Sequence, residues 1–464
     1  MHIEQIYTNC LAQASYYVES NGEVAIIDPI RDYEVYVHKA KERGASIKYI
    51  FETHFHADFV SGHLDLANAT QATIVFGPGA ETGFDCVVAK DAEVFALGAA
   101  ELRVVHTPGH TPESTCYLLF DETNNPHAIF TGDTLFVGDV GRPDLCQAGA
   151  NMTMEDMAGM LYESLNSKIV KLPDTVIVYP GHGPGSACGK SLGPETQSTI
   201  GKEKATNYAL QPMNKDEFIK VVTDGIAPPP AYFFADAALN KNGYSLIDEI
   251  MNEAKPLVLA EFETEMNAGA MVLDTRIPDV FENGFIPGAI NIGLNGQYAI
   301  WAATLFDLDR KIVILADEGK ERESIVRLTR VGFSNIKGYL AGGIPTWTSA
   351  AKPLDLVISI TPEEFALDTK YSEQAILDVR KPSEWSGGIV ENATLVNLEN
   401  LQDKLEDLDR EKDYEVHCAG GYRSMIACSI LKANGFYRVK NVYGGFSKIK
   451  EMEVPIVIPE GVKA

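Results

Sequence analysis

The second half of the chain repeats itself, and this repeat constrains the possible folds more than any other feature of the sequence. Four segments return at an offset of about 101 to 104 residues: Leu273–Arg276 as Leu377–Arg380, Lys311–Ala316 as Tyr414–His417, Arg322 as Arg423, and Gly342–Gly343 as Gly444–Gly445. Within each copy, strand-like runs alternate with helical patterns, which predicts a parallel sheet with helices on both faces. The repeat therefore predicts two similar α/β domains, at residues 256–353 and 357–464.

The first half of the chain reads as a further α/β domain. A length of 464 residues predicts about three domains at roughly 100–200 residues each. Residues 23–28 form an apolar run that ends in an aspartate, residues 33–43 have helical spacing, and residues 48–51 form another short strand. A proline run at 228–230 marks a stiff break near the end of this region. We place the first domain at residues 1–245.

Composition limits the partners and the compartment. A formal net charge of −26 argues against nucleic acid and against an anionic membrane surface as partners. The seven cysteines are scattered and show no zinc-type pairs, which is typical of reduced thiols in a cytosol. The sequence shows no signal-type segment at its start and no apolar run of about 18 residues. We therefore expect a cytoplasmic protein without a membrane span, and a homo-oligomer of unspecified size.

Histidine and aspartate side chains follow four apolar strands of the first domain. These candidate metal ligands are His54, His56 and Asp58 in one turn, then His110, Asp133 and His182. Strand ends on one side of a sheet lie close together, and imidazole and carboxylate groups are common metal ligands. A single histidine in a loop is usually an ordinary surface residue, but four such clusters in succession predict a metal site.

These motifs resemble those of the metallo-β-lactamase superfamily over about the first 240 residues. The resemblance implies an αββα sandwich, in which two sheets lie between layers of helices. Dinuclear hydrolases of that family carry a histidine directly after the aspartate of the turn, where this chain has Phe59. The loss of that imidazole removes one ligand of a second metal ion. The set of two histidines and one carboxylate that remains suits a mononuclear Fe(II) with open positions.

The persulfide dioxygenase branch of the superfamily is similar in this respect. The resemblance implies that His54, His110 and Asp133 hold one Fe(II) per chain. It also gives supporting roles to three further residues, which would orient the ligands by hydrogen bonds: His56, Asp58 and His182.

Two residues near these motifs have alternative roles. Arg142 lies in a loop that resembles the family's loop after the iron-binding aspartate, and it is expected to anchor either a substrate carboxylate or the loop itself. Cys188 follows His182 by six residues and is expected either to take part in persulfide transfer or to be a buried structural thiol.

A second candidate site surrounds Cys418. This cysteine ends an apolar strand and is followed by Gly420, Gly421 and Arg423, and then by a helical pattern over Ser424–Asn434. Successive backbone N–H groups of such a loop form an anion-binding nest, and the start of the helix adds positive potential. Arg423 is expected to add a full positive charge. This arrangement favours a nucleophilic thiolate and stabilises a persulfide or a bound sulfite.

The frame around Cys418 resembles the rhodanese family of sulfurtransferases over about the last 105 residues. Asp378 and Arg380 lie upstream and the glycine pair Gly444–Gly445 lies downstream. The other copy has Asp317 in place of the cysteine, and a carboxylate carries no sulfane sulfur. We therefore expect the copy at 256–353 to be a degenerate rhodanese domain that serves as a spacer or an interface.

The whole order of domains resembles that of persulfide dioxygenase–rhodanese fusions, which detoxify sulfide. The resemblance implies that a low-molecular-weight thiol persulfide reacts with O₂ to give sulfite, and that the persulfide formed on Cys418 passes its sulfur to sulfite to give thiosulfate. Two alternatives stay open. One is a glyoxalase-II-like dinuclear thioester hydrolase with an appended sulfurtransferase, and the other is a non-catalytic sulfur carrier that uses Cys418 alone.

Overall fold

The computed structural model describes residues 1–145, 152–190, 192–372 and 374–459. The chain divides into two compact units, the first formed by Met1–Glu249 and Thr329–Gly332, and the second by Ile250–Leu328 and Phe333–Ala464. The expected limits of the three domains stay predictions, and both Cys146 and the C-terminal limit at residue 464 lie outside the described residues.

The first unit contains two six-stranded sheets. The first sheet has the strand order β1-β2-β3-β4-β5-β6 and consists of β1 (His2–Thr8), β2 (Gln13–Ser20), β3 (Glu23–Ile27), β4 (Ser46–Phe51), β5 (Thr73–Phe76) and β6 (Val87–Val88). The second sheet has the order β12-β11-β10-β9-β8-β7 and consists of β7 (Val94–Leu97), β8 (Ala100–His106), β9 (Thr115–Phe120), β10 (Pro126–Gly132), β11 (Ile177–Pro180) and β12 (Ser198–Thr199).

Seven α-helices accompany these sheets in the described part of the chain as far as residue 253. They are α1 (Glu34–Glu42), α2 (His63–Thr70), α3 (Met154–Ser164), α4 (Ile200–Thr206), α5 (Lys215–Thr223), α6 (Phe233–Asn242) and α7 (Ile247–Glu253). Two shorter helical segments add to them, a π-helix at Leu165–Ile169 and a 3₁₀-helix at Tyr208–Leu210. The helix expected at residues 33–43 is α1, flanked by Tyr33 and Arg43 as its caps.

A hydrophobic core joins the inner faces of the two sheets. Alternate residues of a strand face opposite sides of its sheet. On β9, Tyr117 therefore faces this core, where its ring centroid lies 4.7 Å from that of Phe51 in the first sheet. Cys116 and Leu118 face the other way and pack with Leu161 of α3. Two sheets packed face to face with helices outside confirm the predicted αββα sandwich.

The second unit contains two five-stranded sheets with the same topology. One has the order β13-β17-β16-β14-β15 and consists of β13 (Pro256–Leu257), β14 (Met271–Asp274), β15 (Ile290–Asn291), β16 (Ile312–Leu315) and β17 (Ile336–Leu340). The other has the order β18-β23-β22-β19-β21 and consists of β18 (Ile358–Ile360), β19 (Ala375–Asp378), β21 (Thr394–Leu395), β22 (Tyr414–His417) and β23 (Val439–Val442). The strands β20 (Ile389–Val390) and β24 (Ile456–Val457) form a separate antiparallel pair.

All neighbouring strands of the two five-stranded sheets pair in parallel. The predicted repeat of a parallel α/β domain is therefore confirmed. The helices of this unit are α8 (Leu259–Asn267), α9 (Pro278–Phe281), α10 (Tyr298–Leu305), α11 (Glu321–Thr329), α12 (Gly343–Ser349), α13 (Pro362–Tyr371), α14 (Pro382–Trp385), α15 (Tyr422–Ala433) and α16 (Gly445–Ile449). The 3₁₀-helices Leu398–Asn400 and Gln402–Asp407 precede β22.

The start of one helix differs slightly from the predicted one. The helix after Cys418 begins at Tyr422, two residues before the predicted start. Gly421 has a φ of +104°, which turns the chain directly into the helix.

Among the described residues, no helix has both the length and the apolar character needed to cross a bilayer.

Candidate metal centre and thiolate site

Three of the predicted metal ligands surround one point. His54 follows β4, His110 lies between β8 and β9, and Asp133 follows β10. One ligand atom from each lies within 4.8 Å of the others, and all three side chains are buried. The Nε2 atoms of His110 and His54 lie 3.4 Å and 3.9 Å from Asp133 Oδ2. The structure thus brings together the three residues that the sequence singles out.

The donor atoms of this group fit a cation. Within the described part of the chain, His54 Nε2 and both carboxylate oxygens of Asp133 are buried and have no hydrogen-bond partner. Burial, together with neighbouring imidazoles, holds the pKa of His54 well below its usual range, so that its ring stays neutral. Buried oxygen and nitrogen atoms without partners are costly, and a bound metal ion satisfies them.

Hydrogen bonds on the far side of the rings direct these atoms inward. His54 Nδ1 lies 2.9 Å from Thr53 Oγ1, which in turn donates to Asp28 Oδ2 over 2.9 Å. His110 Nδ1 lies 2.8 Å from the carbonyl oxygen of Arg142. A proton on each Nδ1 leaves the lone pair on Nε2, on the side of Asp133.

A second group of predicted residues lies beside the first. His56, Asp58 and His182 also approach one another within 4.8 Å. His182 Nε2 lies 3.5 Å from Asp58 Oδ2 and 3.5 Å from Asp133 Oδ1. His182 thus adjoins the carboxylate of the first group, in a position from which it can orient that carboxylate.

His56 has a different electrostatic environment. Its Nε2 lies 3.2 Å from Asp28 Oδ1 and 3.6 Å from Glu52 Oε2. Burial alone would lower the pKa of His56, but the carboxylates of Asp28, Glu52 and Asp58 raise it to about 9. The Nε2 atom of this ring therefore faces the carboxylates of Asp28 and Glu52.

Phe59 directly follows Asp58 in the histidine turn. Its side chain is completely buried, and its ring centroid lies 4.4 Å from that of His56. The backbone of the same turn is held from α6, because the Asn240 amide donates to the carbonyl oxygens of His56 and Phe59 over 2.7 Å and 2.8 Å. The Ser61 N–H donates to Asn240 Oδ1 over 2.8 Å.

Sequence reasoning missed several residues that support the centre. They are Asp28, Glu52, Glu113, Asp236 and Asn240. Asp28 carried a signal, since it ends a predicted strand, and β3 pairs in parallel with β4 so that both strands finish at the same edge. Glu113 accepts the Phe55 N–H over 2.9 Å. Asp236 is fully buried, neither of its carboxyl oxygens has a partner among the described residues, and burial raises its pKa well above the usual range.

Arg142 anchors its own loop. Its guanidinium donates twice to Asp144 over 2.7 Å, and it also donates to the carbonyl oxygens of Ala187 and Ala227. The backbone N–H of Arg142 donates to the carbonyl oxygen of Cys188 over 3.0 Å. Of the two roles expected for Arg142, these contacts favour the structural one.

Cys188 lies beside the metal ligands. Its side chain is buried, and its sulfur belongs to a group with Asp133 and His182 whose ligand atoms approach within 4.8 Å. Burial and the nearby Asp58 and Asp133 carboxylates raise the pKa of the Cys188 thiol well above its usual range. A neutral thiol at this position is a weaker nucleophile than a thiolate.

The predicted thiolate cradle forms at the end of β22. Cys418 is buried, and the Gly421 N–H points at its sulfur from 3.1 Å. The space beside the Gly420 Cα is open. The carbonyl oxygens of Cys418 and Ala419 turn outward, where they accept the N–H groups of Phe446 over 2.6 Å and Ser447 over 3.0 Å. The loop therefore presents the Gly421 N–H to the sulfur.

The full positive charge expected from Arg423 lies beside a carboxylate. Its guanidinium forms two hydrogen bonds with Glu384 of α14, at 2.5 Å and 2.9 Å. The carboxylate offsets much of the field that the arginine exerts on Cys418. The Gly421 N–H is a backbone donor that faces the sulfur directly. In the other copy, Asp317 is exposed at the end of β16.

Comparisons with known proteins agree with this architecture. The family model described as the metallo-beta-lactamase superfamily matches residues 8–182. The model described as the rhodanese-like domain matches twice, at residues 258–350 and 361–452. Both rhodanese matches lie within the two repeats predicted from the sequence.

Curated relatives with two different activities match part of the chain. A probable hydroxyacylglutathione hydrolase from Schizosaccharomyces pombe is 30% identical over 167 residues, which are 35% of this chain and 60% of the relative. The mitochondrial persulfide dioxygenase ETHE1 from Bos taurus is 30% identical over 217 residues, which are 45% of this chain and 74% of the relative. The chain thus spans only about three fifths of the hydrolase.

A solved structure extends the likeness further along the chain. The crystal structure of a metallo-beta-lactamase from Staphylococcus aureus is 34% identical, with a TM-score of 0.66. The match covers 73% of this chain and 98% of that one. The chain therefore belongs to the metallo-beta-lactamase superfamily, and it carries two rhodanese-like domains after its metallo-β-lactamase domain.

Proposed function

We propose that the chain is a persulfide dioxygenase coupled to a sulfurtransferase, acting on low-molecular-weight thiol persulfides. The observation that carries the first activity is the buried Phe59, whose phenyl ring offers no lone pair where an imidazole would complete a second metal position. The remaining donors, His54, His110 and Asp133, form a two-histidine, one-carboxylate set, which is typical of mononuclear iron oxygenases.

One Fe(II) per chain, held by these three residues, would supply the activation of O₂. The protein itself orients the donors. Thr53 and the carbonyl oxygen of Arg142 bind the Nδ1 atoms of the two histidines, and His182 lies beside the second oxygen of Asp133. Mutations of such supporting groups commonly weaken metal binding or activity by about 10–100-fold.

The overall oxidation consumes one persulfide, one O₂ and one water, and it releases a thiol, sulfite and two protons. The terminal sulfur is oxidised to sulfite and O₂ is reduced, so no further oxidant is required. The burial of the donor set supports this chemistry, because a dry site protects a reactive sulfur species from side reactions.

Sulfur transfer takes place at Cys418. Its thiolate attacks the outer sulfur of a persulfide and releases the thiolate of the small carrier. Sulfite then attacks the outer sulfur of the Cys418 persulfide, which forms thiosulfate and regenerates the thiolate. The Gly421 N–H, 3.1 Å from the cysteine sulfur, supports the negative charge during both transfers.

The alternative function is a glyoxalase-II-like dinuclear thioester hydrolase. The specific observation that favours it is the second group of His56, Asp58 and His182, whose ligand atoms lie as close together as those of the first. A hydrolase relative is also as similar, at 30% identity, as the dioxygenase relative. Such a hydrolase would use two metal ions and no O₂.

Metal content and oxygen consumption separate the two proposals. The purified protein is reconstituted without oxygen, its metals are counted by mass spectrometry, and it is assayed with glutathione, coenzyme A and bacillithiol persulfides and with a hydroxyacylglutathione thioester. We expect one iron per chain and O₂ uptake with at least one persulfide. Two zinc ions with thioester hydrolysis and no O₂ uptake would establish the hydrolase instead.

Replacing Phe59 with histidine tests why the second position is incomplete. Because the new imidazole supplies the absent ligand, we expect Phe59→His to bind about one additional zinc ion per chain after growth in zinc-rich medium. The measurement is the zinc-to-protein ratio of the purified variant.

Phe59→Leu is the matched control, because it removes the ring without adding a ligand. An increase in zinc with both variants would mean that the volume of the ring, and not the absent lone pair, blocks the second position. Unchanged zinc in Phe59→His would show that other groups determine the number of metals.

The cytoplasmic location and the homo-oligomeric state remain predictions.

A further inference from the structure

The residue between Gly421 and Arg423 is held by the copy that lacks a cysteine. Tyr422 is the first residue of α15, and its hydroxyl donates to the carbonyl oxygen of Gly293 over 2.6 Å. Gly293 lies just after β15, in the first rhodanese-like copy. Burial raises the pKa of Tyr422, so that its hydroxyl keeps the proton that it donates. We call the loop 293–296 the tyrosine seat.

The tyrosine seat is shaped for an aromatic ring. A Cβ atom on Gly296 would lie 2.4 Å from Cζ and 2.6 Å from Cε2 of Tyr422, so that only glycine leaves room for the ring. Arg327 of α11 holds the loop from behind, because its guanidinium donates to the carbonyl oxygens of Leu294 and Gly296 over 2.6 Å and 2.9 Å. The first copy therefore holds the loop in place as well as contacting the ring.

Tyr422 directly follows the residue whose N–H group faces the sulfur. Gly421 has a left-handed backbone conformation, with a φ of +104°. Glycine adopts positive and negative φ values about equally readily, so its own preference does not fix this conformation. On one side, the loop is fixed within its own copy by the N–H groups of Phe446 and Ser447. On the other side, the Gly421 carbonyl accepts the Ser424 hydroxyl and the Met425 N–H of α15, and the Tyr422 hydroxyl ties the first residue of this helix to the tyrosine seat.

The same helix has further contacts with the first copy and with the segment between the two copies. The Asn291 N–H donates to Ser429 Oγ over 3.0 Å, and Lys432 forms an ion pair with Asp355 at 2.7 Å. These contacts lie two and three turns along α15, so they hold the body of the helix. The contact of Tyr422 is the one that adjoins the loop around Cys418.

We propose that the Cys-less rhodanese-like copy is a positioning part of the sulfur-transfer site, and that it acts through the seat for Tyr422. Asp317 removes sulfur chemistry from this copy but leaves the loop 293–296 and its support by Arg327 intact. Tyr422 is a positioning residue, because it acts on Cys418 through Gly421. The inference rests on the proposed role of Cys418 as the sulfur-carrying residue.

Tyr422→Phe removes the hydrogen bond and keeps the ring. A neutral hydrogen bond contributes about 1 kcal/mol, so we expect the rate constant of sulfur transfer from thiosulfate to cyanide to fall roughly three- to tenfold with little change in KM. We also expect the pH midpoint of Cys418 alkylation by iodoacetamide, followed on the Cys418 peptide by mass spectrometry, to move to higher pH. Tyr414→Phe is the matched control, since the Tyr414 hydroxyl is also buried but accepts an N–H from Asp409 within its own copy.

A double-mutant cycle tests the contact itself. Gly296→Ala places a methyl group where the ring lies, so it should impair transfer in the parent protein and have no further effect in Tyr422→Ala. Thermal unfolding shows whether Gly296→Ala or Tyr422→Ala fails to fold. If either does, the alkylation of Cys418 in folded Tyr422→Phe decides whether the inference holds. Equal behaviour of Tyr422→Phe and Tyr414→Phe in alkylation would overturn the inference. Alkylation requires no turnover, so a parent protein without transfer activity would refute the role of Cys418 and still leave the positioning role measurable.

Discussion

Replacing Cys418 with serine is expected to abolish enzymatic thiosulfate formation while oxygen uptake persists. Serine keeps the size and polarity of the side chain but removes the polarizable sulfur that carries the transferred atom. Loss of a nucleophile commonly costs a factor of about 10³ or more in rate. The product of persulfide turnover should therefore shift from thiosulfate to sulfite, measured by ion chromatography after the non-enzymatic condensation is subtracted.

Cys428→Ser is the matched control for this change. Cys428 lies on α15, the helix that follows the Cys418 loop. Cys428 is also buried, and burial raises the pKa of its thiol. We expect this variant to form thiosulfate at the parent rate. If Cys418→Ser did so as well, Cys418 would not be the transfer residue, and Cys188, beside the metal ligands, would become the leading candidate.

Removing any one of the three proposed iron ligands should remove both the metal and the dioxygenase activity. His54→Ala, His110→Ala and Asp133→Ala each leave two donors, and two donors hold a divalent ion poorly at a site built for three. We expect iron content to fall below about one tenth of the parent value, with oxygen uptake falling in proportion. Metal analysis and an oxygen electrode measure the two quantities.

Two sets of variants make this result specific. His38→Ala changes an exposed histidine of the same unit and should leave iron unchanged. His56→Ala and His182→Ala should retain more iron than His54→Ala, because the proposal gives their side chains supporting roles. Equal loss in all of them would favour a dinuclear site, and retained oxygen uptake in His54→Ala would refute the assignment of that ligand.

The sequence was informative wherever a functional residue lies at the end of a regular element. His54 follows β4 of the first sheet, and His110 and Asp133 follow β8 and β10 of the second. The pattern therefore marks the donors at strand ends, and the packing of the two sheets brings them together. The loop after Cys418 was predictable for the same reason, since a strand, a short glycine-rich turn and a helix leave few geometries.

The remainder of the two sites depends on pairs that no local pattern marks. Glu384 lies 39 residues from Arg423, and no sequence pattern in either segment predicts their ion pair. Tyr422 and Gly293 are separated by 129 residues and meet only because two repeats pack together. Such contacts arise from tertiary packing, so a single sequence predicts the donors of a site better than the groups that tune them.

The hydrogen bonds of the Asn240 side chain to the histidine turn affect the order in which the chain folds and binds its metal during synthesis. Asn240 binds the backbone at His56, Phe59 and Ser61, and it is synthesised after every proposed ligand, His182 included. A nascent chain that ends just past His182 carries all the donors but lacks the group that fixes their turn. Since α6 supplies that group, stable cofactor loading belongs to the period after the ribosome has released this helix.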